Sequence, residues 1–289
     1  MSEITIERSS LSLIEAYYEL YSNSFPNNRT FGLEYLEWLY GQNPVGEAVG
    51  ADAFHQGVVV GQVICIPGKY LLHGKHCKGL LAVNVAVHPK YQGRFLFKKL
   101  GLRACEYGAQ EGYDFVFGIA NVAATPGWVR QMGFQLVTPL EARAGIGSLL
   151  DDDDWKTVLP ATDFRHLWTK EELNWRSSNP TNIVEFQARV KSKTITGFAS
   201  TGRPGVFASA DFIVDENIAL QNFVHPTKLI LPRVFLGLIP MFRFPKSYVK
   251  IPEKLKPSPL NLIYKNLNEE NDHLDPSGCL INFLDFDAF

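Results

Sequence analysis

At 289 residues the chain is too long for one minimal domain and comfortable for two of ordinary size. With 46% hydrophobic and 20% charged residues it can bury full cores, and a formal net charge of -2 disfavours non-specific nucleic-acid binding. No apolar run reaches the ~18–20 residues of a membrane span, because Pro240 and Arg243 interrupt the longest one, Val234 to Phe244.

Met1-Ser2-Glu3 is acidic and has no apolar stretch behind it, so no signal peptide is expected. Cys65, Cys77, Cys105 and Cys279 follow no zinc spacing. They read as reduced, mostly buried thiols of a cytoplasmic protein.

In chain order, apolar residues at helical spacing (Leu13, Ile14, Tyr17, Leu20, Tyr21) predict a helix over Leu11 to Ser22. A second helix, Leu33 to Tyr40, stops at Asn43-Pro44-Val45-Gly46. Ala48 to Pro67 alternates and breaks at His55-Gln56-Gly57, which predicts a hairpin. A further hairpin joins Lys69 to His76 with Lys78 to Val87, turning near His73-Gly74-Lys75.

The stretch from Leu80 to Phe134 is the most informative. It reads as a strand (Leu80 to Val87), a basic turn (Pro89 to Arg94), a helix (Leu96 to Gln110), a strand (Phe115 to Ile119) and a second helix ending at Gly133-Phe134. A strand feeding a helix through a short Gly-containing turn exposes unpaired backbone N–H groups, a site for a pyrophosphate. Arg94, Lys98 and Lys99 add positive charge that suits a polyanion. Gln135 to Arg143 reads as one more strand. Asp151 to Asp154, four carboxylates in a row, reads as a solvated linker at a boundary near Leu149 to Trp155.

The second half then echoes the first. Leu173-Asn174-Trp175 followed by Asn179-Pro180 parallels Leu36-Glu37-Trp38 followed by Asn43-Pro44, and Gly197 parallels Gly61. Ala208 to Val214 parallels Ala82 to Val87, with Asp211 near the place of Asn84. Leu260 to Leu267, including Tyr264, parallels the helix Thr125 to Met132, and Cys279 to Phe289 parallels the strand Phe134 to Arg143. Two copies of one domain are expected, 1–148 and 155–289. After Val214 the second copy runs Asp215-Glu216-Asn217, whose carboxylates would repel a pyrophosphate. The first copy is therefore expected to hold the cofactor and the second to be a scaffold or an acceptor-side wall.

This punctuation resembles the GNAT superfamily, the acyl-CoA-dependent N-acyltransferases. The family's pyrophosphate signature is Gln or Arg, two residues, Gly, one residue, then Gly or Ala. Gln92-Gly93-Arg94-Phe95-Leu96-Phe97 occupies it: Gln92 matches, Phe95 and Phe97 replace small residues, and Gly93 is offset. Val87-His88-Pro89, Lys98-Lys99-Leu100, Gly118 to Asn121 and Met132-Gly133-Phe134 carry the rest of the likeness. It covers residues 1–145 well and 160–289 weakly.

The resemblance implies an α/β chain of two tandem GNAT-like domains, each a mixed, mostly antiparallel sheet flanked by helices. It implies acyl-CoA as cosubstrate and no metal. Val85 and Val87 would pair with the pantetheine arm. Gln92, Gly93, Arg94, Phe95, Leu96, Phe97 and Lys98 would hold the pyrophosphate through backbone N–H groups, which a Phe95 ring would not block if it pointed to the core. Asn121 would hydrogen-bond the pantetheine or cap the second helix.

Asn84, Ala86 and His88 share one face of their strand. Asn84 lies nearer the expected thioester, where it orients either the acceptor amine or the thioester carbonyl; His88 is a turn or packing residue. The family's Tyr acid on the second helix falls on Val129.

A missing base is tolerable for a weakly basic amine. That favours a sugar amine, and by resemblance the expected acceptor is a nucleotide-linked sugar, with a dTDP-linked 3-amino-3,6-dideoxyhexose destined for surface polysaccharide as the specific expectation. Trp38, Tyr40 and Asp211 are placed at the acceptor. Phe25, Trp168 and Trp175 offer further aromatic faces, with core packing the alternative for each aromatic. The other readings are an acetyltransferase of another small amine and a non-catalytic binding module. Neither nucleic acid nor membrane is an expected partner, and the chain is expected to be a monomer or homodimer.

Overall fold

The computed structural model describes residues 3–26, 31–189, 194–214, 232–252, 254, 259–269 and 272–286. The chain divides into two compact units that interleave in sequence, in place of the consecutive pair expected. The first is Met1–Gly68, Cys77–Val137 and Asn261–His273; the second is Lys69–His76, Thr138–Leu260 and Leu274–Phe289.

The first unit opens with β1 (Thr5–Arg8), a short 3-10 turn, and helices α1 (Ile14–Ser24) and α2 (Leu33–Gly41). Hairpin strands β2 (Val49–His55), β3 (Val58–Leu72) and β4 (Lys75–Val87) follow, then helix α3 (Leu96–Gln110) and β5 (Phe115–Ala120). A π-helical turn, Gly127–Gln131, precedes β6 (Gln135–Pro139). These elements match the sequence expectation closely, because α3 carries a clear apolar stripe and the strands alternate between turn residues. Leu96, Leu100 and Ala104 of α3 pack against Val63, Cys65, Leu80 and Val116 of the sheet.

Sheet order in this unit is β1-β2-β3-β4-β5-β14-β6, where β14 is Asn261–Asn266. β14 lies antiparallel to β5, from Asn261 opposite Ala120 to Asn266 opposite Phe115. The helix expected over Leu260 to Leu267 is thus a central strand, and Tyr264 belongs to the first unit. Leu262, Ile263 and Tyr264 are all buried, so the segment lacks the alternation that separates a strand from a buried helix.

The second unit contains β7 (Glu141–Ile146), α4 (Asp152–Val158), β8 (Phe164–His166), α5 (Lys170–Ser177), β9 (Glu185–Arg189), β10 (Thr194–Ser200) and β11 (Phe207–Ile213). It continues with β12 (Pro232–Leu238), β13 (Tyr248–Lys250) and β15 (Ile281–Asn282). The strand expected over Gln135 to Arg143 breaks at Leu140: β6 stays in the first sheet and β7 joins the second. The aspartate run is no linker. Asp151 caps α4 in a box with Asp154, and the remaining carboxylates sit in the first turn, where the helix dipole favours them.

The expected final strand shrinks to β15 followed by a 3-10 turn, Phe283–Asp285. The order β13-β7-β12-β11-β10-β9 repeats the first unit's β6-β14-β5-β4-β3-β2, with β11 parallel to β12 as β4 is to β5. The Asp215-Glu216-Asn217 stretch lies outside the described residues. Trp168 and Trp175 are core residues of this unit. Among the described residues no helix is long and apolar enough to cross a membrane.

Candidate active site

The site begins where β4 and β5 part. Their parallel register runs from Gly79 opposite Phe115 to Ala82 opposite Gly118 and then ends, although β4 continues to Val87. Among the described residues no strand fills the gap beyond Ala82. His88 donates its N–H to the Val60 carbonyl of β3 at 3.0 Å. One residue back, the Val87 backbone points the other way, and its carbonyl accepts from the Gln92 side chain.

The turn after β4 is built from short-range contacts. His88 Nδ1 accepts from the Lys90 N–H at 3.2 Å, the turn role expected of it. Gln92 Nε2 donates to the Val87 carbonyl at 3.2 Å. The guanidinium of Arg94 stands 5.2 Å from the centroid of the Tyr91 ring.

Gly93 and Phe95 both adopt left-handed backbone, with φ of 75° and 57°. Phe95 thus holds the conformation that the signature's glycine would favour, at a strain of roughly 1–2 kcal/mol for a non-glycine residue. The residue is 71% exposed, so its side chain points to solvent and not to the core. Phe97 turns inward, 5.2 Å from Trp128 edge to face, over Gly127, where a Cβ would lie 2.4 Å from the Phe97 ring.

The N-terminus of α3 opens onto this turn. Phe95 offers no side-chain cap, and the first helix bond runs from the Lys99 N–H to the Phe95 carbonyl at 3.1 Å. The N–H groups of Leu96, Phe97 and Lys98 precede it and have no intrahelical acceptor. With exposed Arg94, Lys98 and Lys99 around them, these donors form a positive patch able to take a diphosphate. Asn121 caps the helix after β5, its Oδ1 accepting from the Ala124 N–H at 2.9 Å.

Asn84 lies on β4 just past the last residue paired to β5, and its Nδ2 donates to Tyr40 Oη at 2.8 Å. Tyr40 is therefore brought to Asn84 by the end of α2. Trp38 is not available to stack on an acceptor: it is 2% exposed and packs beside Tyr35 in the core. Asp211 belongs to the second unit, where it accepts from Thr196 Oγ1 and, at 3.2 Å, from the Leu150 N–H. Phe25 keeps an exposed face and stacks on Tyr21.

Sequence reasoning missed the polar groups behind Asn84. Tyr40 Oη lies 3.0 Å from Tyr21 Oη, and Tyr21 donates to Gln62 Oε1. Gln62 Nε2 donates to Asp52 Oδ1 at 2.9 Å, and Asp52 also accepts from Ser9 Oγ at 2.8 Å and Tyr17 Oη at 2.6 Å. Burial pushes the Asp52 carboxyl above the usual carboxylate range, against the pull of these three donors. Burial likewise raises the Tyr40 and Tyr21 phenols, which stay protonated at neutral pH. The available signal was one polar residue in each of two apolar runs, Asp52 within Val49 to Phe54 and Gln62 within Val58 to Ile66, with Tyr17 and Tyr21 one helical turn apart. Among the described residues no group of three or more His, Cys, Asp or Glu is placed to hold a metal.

Residues 5–137 match the sequence model of the family described as Acetyltransferase (GNAT) domain. No curated protein matches the chain. A GCN5-related N-acetyltransferase from Anabaena variabilis is similar in structure, with a TM-score of 0.59 at 12% identity over 92% of this chain and 73% of that one. A probable N-acyltransferase from Enterococcus faecalis gives 0.57 at 10% identity over 92% and 73%. Eis1 from Mycobacterium abscessus gives 0.57 at 11% identity over 92% and 74%. At these identities the likeness is one of fold, and it extends across both units. The family match falls on the first unit, the one whose parallel strands part, and with the similar structures it gives that unit a GNAT-like fold.

Proposed function

We propose that this chain transfers an acyl group from acyl-CoA to the primary amine of a small molecule. The observation that carries this reading is the open gap between β4 and β5, ending at a basic turn with free helix N–H groups. The pantetheine arm would pair with Val85 and Val87. The pyrophosphate would rest on the turn from Gln92 to Lys98, with Arg94 as its nearest flexible charge. The amine nitrogen forms a bond to the thioester carbon, the C–S bond breaks, and the proton lost by nitrogen ends on the CoA sulfur through solvent, since Val129 supplies no acid.

Within this class we favour the amine of a nucleotide-linked sugar, with a dTDP-linked 3-amino-3,6-dideoxyhexose as the first to try. Such an amine is less basic than a lysine, whose reference pKa is ~10.4, so it needs less help to lose a proton. That suits a site where the carboxylate linked to Asn84, Asp52, is buried behind three other side chains. The names of the similar structures make acetyl the first acyl group to test, and a cytoplasmic location fits a CoA-dependent step.

Calorimetry with acetyl-CoA, followed by mass spectrometry after incubation with amino sugars, nucleotide amino sugars and polyamines, tests the proposal. Micromolar binding and one acetylated nucleotide sugar are expected. No binding at millimolar acetyl-CoA would favour a non-catalytic module, a reading that the exposed, strained Phe95 at the phosphate turn keeps in play. Acetylation of polyamines alone would remove the sugar.

A further inference from the structure

The polar chain behind Asn84 has a direction, and the direction decides what Asn84 can do. It starts at Asp52, whose Oδ1 takes Ser9 and Gln62 and whose Oδ2 takes Tyr17. A carboxylate with three donors acts only as an acceptor, so Gln62 must present its NH2 to it. The Gln62 carbonyl is then left to accept from Tyr21.

A phenol has one proton, and Tyr21 has spent its own on Gln62. Tyr21 can only accept from Tyr40, across 3.0 Å, which spends the proton of Tyr40. Tyr40 in turn can only accept, and it takes the Asn84 NH2 at 2.8 Å. Among the described residues Asn84 Oδ1 meets no protein donor, and it is not sealed from solvent.

We infer that the chain Asp52–Gln62–Tyr21–Tyr40 locks the Asn84 amide with its carbonyl oxygen outward, so that Asn84 holds an N–H of the acceptor amine and not the thioester oxygen. This rests on the acyl-transfer reading above. An outward carbonyl repels the thioester oxygen and attracts an N–H. As nitrogen attacks, it gains positive charge and its N–H becomes a stronger donor. The Asn84 contact therefore tightens in the transition state and acts on kcat more than on binding. Tyr40, Tyr21, Gln62 and Asp52 are positioning residues that act through Asn84.

Moving the carboxylate from one end of the chain to the other tests the lock. Asp52→Asn allows the relay to reverse and the Asn84 amide to flip, so kcat is expected to fall about tenfold or more while the KM for acetyl-CoA stays within about twofold. Asn84→Asp in the Asp52→Asn background restores an outward acceptor, because Tyr40 can then donate to the new carboxylate. The double variant is expected to recover most of the lost kcat. A double variant no better than Asp52→Asn, or an Asp52→Asn enzyme with wild-type kcat, overturns the inference.

If Asp52→Asn does not fold, Tyr40→Phe removes one oxygen from the relay and should give the same split between kcat and KM; equal loss of acetyl-CoA affinity would point to general damage and count against the lock. Orientation is also read without turnover. Nuclear Overhauser contacts between the Asn84 side-chain NH2 and the Tyr40 ring are expected in the 15N-labelled wild type, and their absence overturns the inference. A wild type that shows these contacts yet acylates nothing would remove the acyl-transfer reading alone.

Discussion

Both units contain a pair of parallel strands that part, and they differ in what occupies the space. In the first, β4 and β5 separate after Ala82 and the gap holds no strand among the described residues. In the second, β11 and β12 pair only at Phe207 and Ala208, opposite Arg233 and Val234. There β15 pairs with β12 at Gly237 and Leu238, on the edge that β7 leaves free, and Phe283 and Leu284 pack against Ala208, Ala210 and Phe212. Unpaired backbone groups in a core must find partners. The second unit finds them in its own final strand, and in the first they face the gap where the proposed pantetheine arm would lie. The second unit's counterpart of the gap is thus occupied by its own chain.

Truncation is the harshest way to break this comparison. A fragment ending at residue 148 lacks β14, so β5 loses its neighbour and the buried Leu262, Ile263 and Tyr264 are gone. It is expected to yield no soluble, cooperatively folding protein, as judged by circular dichroism and thermal melts. A folded fragment would show that the open gap does not depend on the late strand.

Next in size is Arg94→Glu, which places a negative charge beside the proposed diphosphate. It should raise the KM for acyl-CoA by roughly an order of magnitude, more at low salt, with kcat nearly unchanged. The plugged unit is probed by Gly237→Ala. A Cβ there would stand 1.9 Å from the Ile281 carbonyl oxygen, so β15 must shift. A destabilisation of about 2–3 kcal/mol is expected by denaturant titration, with acyl-CoA affinity unchanged.

A pH series sharpens the same contrast. Asp285, in the turn that fills the second gap, is pushed up to about 6 by burial, partly offset by His166. Its folded-state pKa lies above the unfolded ~3.9, so the folded state holds more protons in that window and stability falls as pH rises through about 6. Glu172, held below its ordinary value with its partner His166 at 2.8 Å, works oppositely: its contribution is present at neutral pH and is lost as pH falls through its lowered pKa. Asp285→Asn should flatten the slope between about pH 4 and 7 in urea titrations; an unchanged slope would assign it elsewhere.

The smallest effect belongs to Phe95→Gly. Relief of left-handed strain, offset by the larger entropy of glycine in the unfolded chain, should leave a gain within about 1 kcal/mol. Acyl-CoA affinity should hold or improve.

The first unit was legible as far as its elements depend on neighbours in sequence. Helix α3 showed its stripe at Leu96, Leu100 and Ala104, and the hairpins showed their turns at Gly57 and Gly74. The α5-to-β11 stretch of the internal repeat was also readable, from Leu173-Asn174-Trp175, Asn179-Pro180 and Gly197. What failed depends on partners far along the chain. Leu260 to Leu267 has no period because both its faces are covered, and Leu140 carries no mark that the chain there changes sheets.

At the site, Asn84 and the basic turn follow from strand alternation and a glycine, and their placement next to a parting sheet agrees with that expectation of geometry. Phe95 defied it because an exposed left-handed phenylalanine has no sequence signature. Asp52, Gln62 and Tyr21 become one chain only when α1 packs on β2 and β3, which no local pattern announces.

The position of β14 has a consequence for biosynthesis. The ribosome must deliver Asn266 before the first sheet can close, with nearly the whole of the other unit made in between. Until then the nascent chain carries β5 with a bare edge, a template for wrong pairing. The first unit therefore cannot close its sheet until nearly all of the other unit has been made, although most of it is translated first.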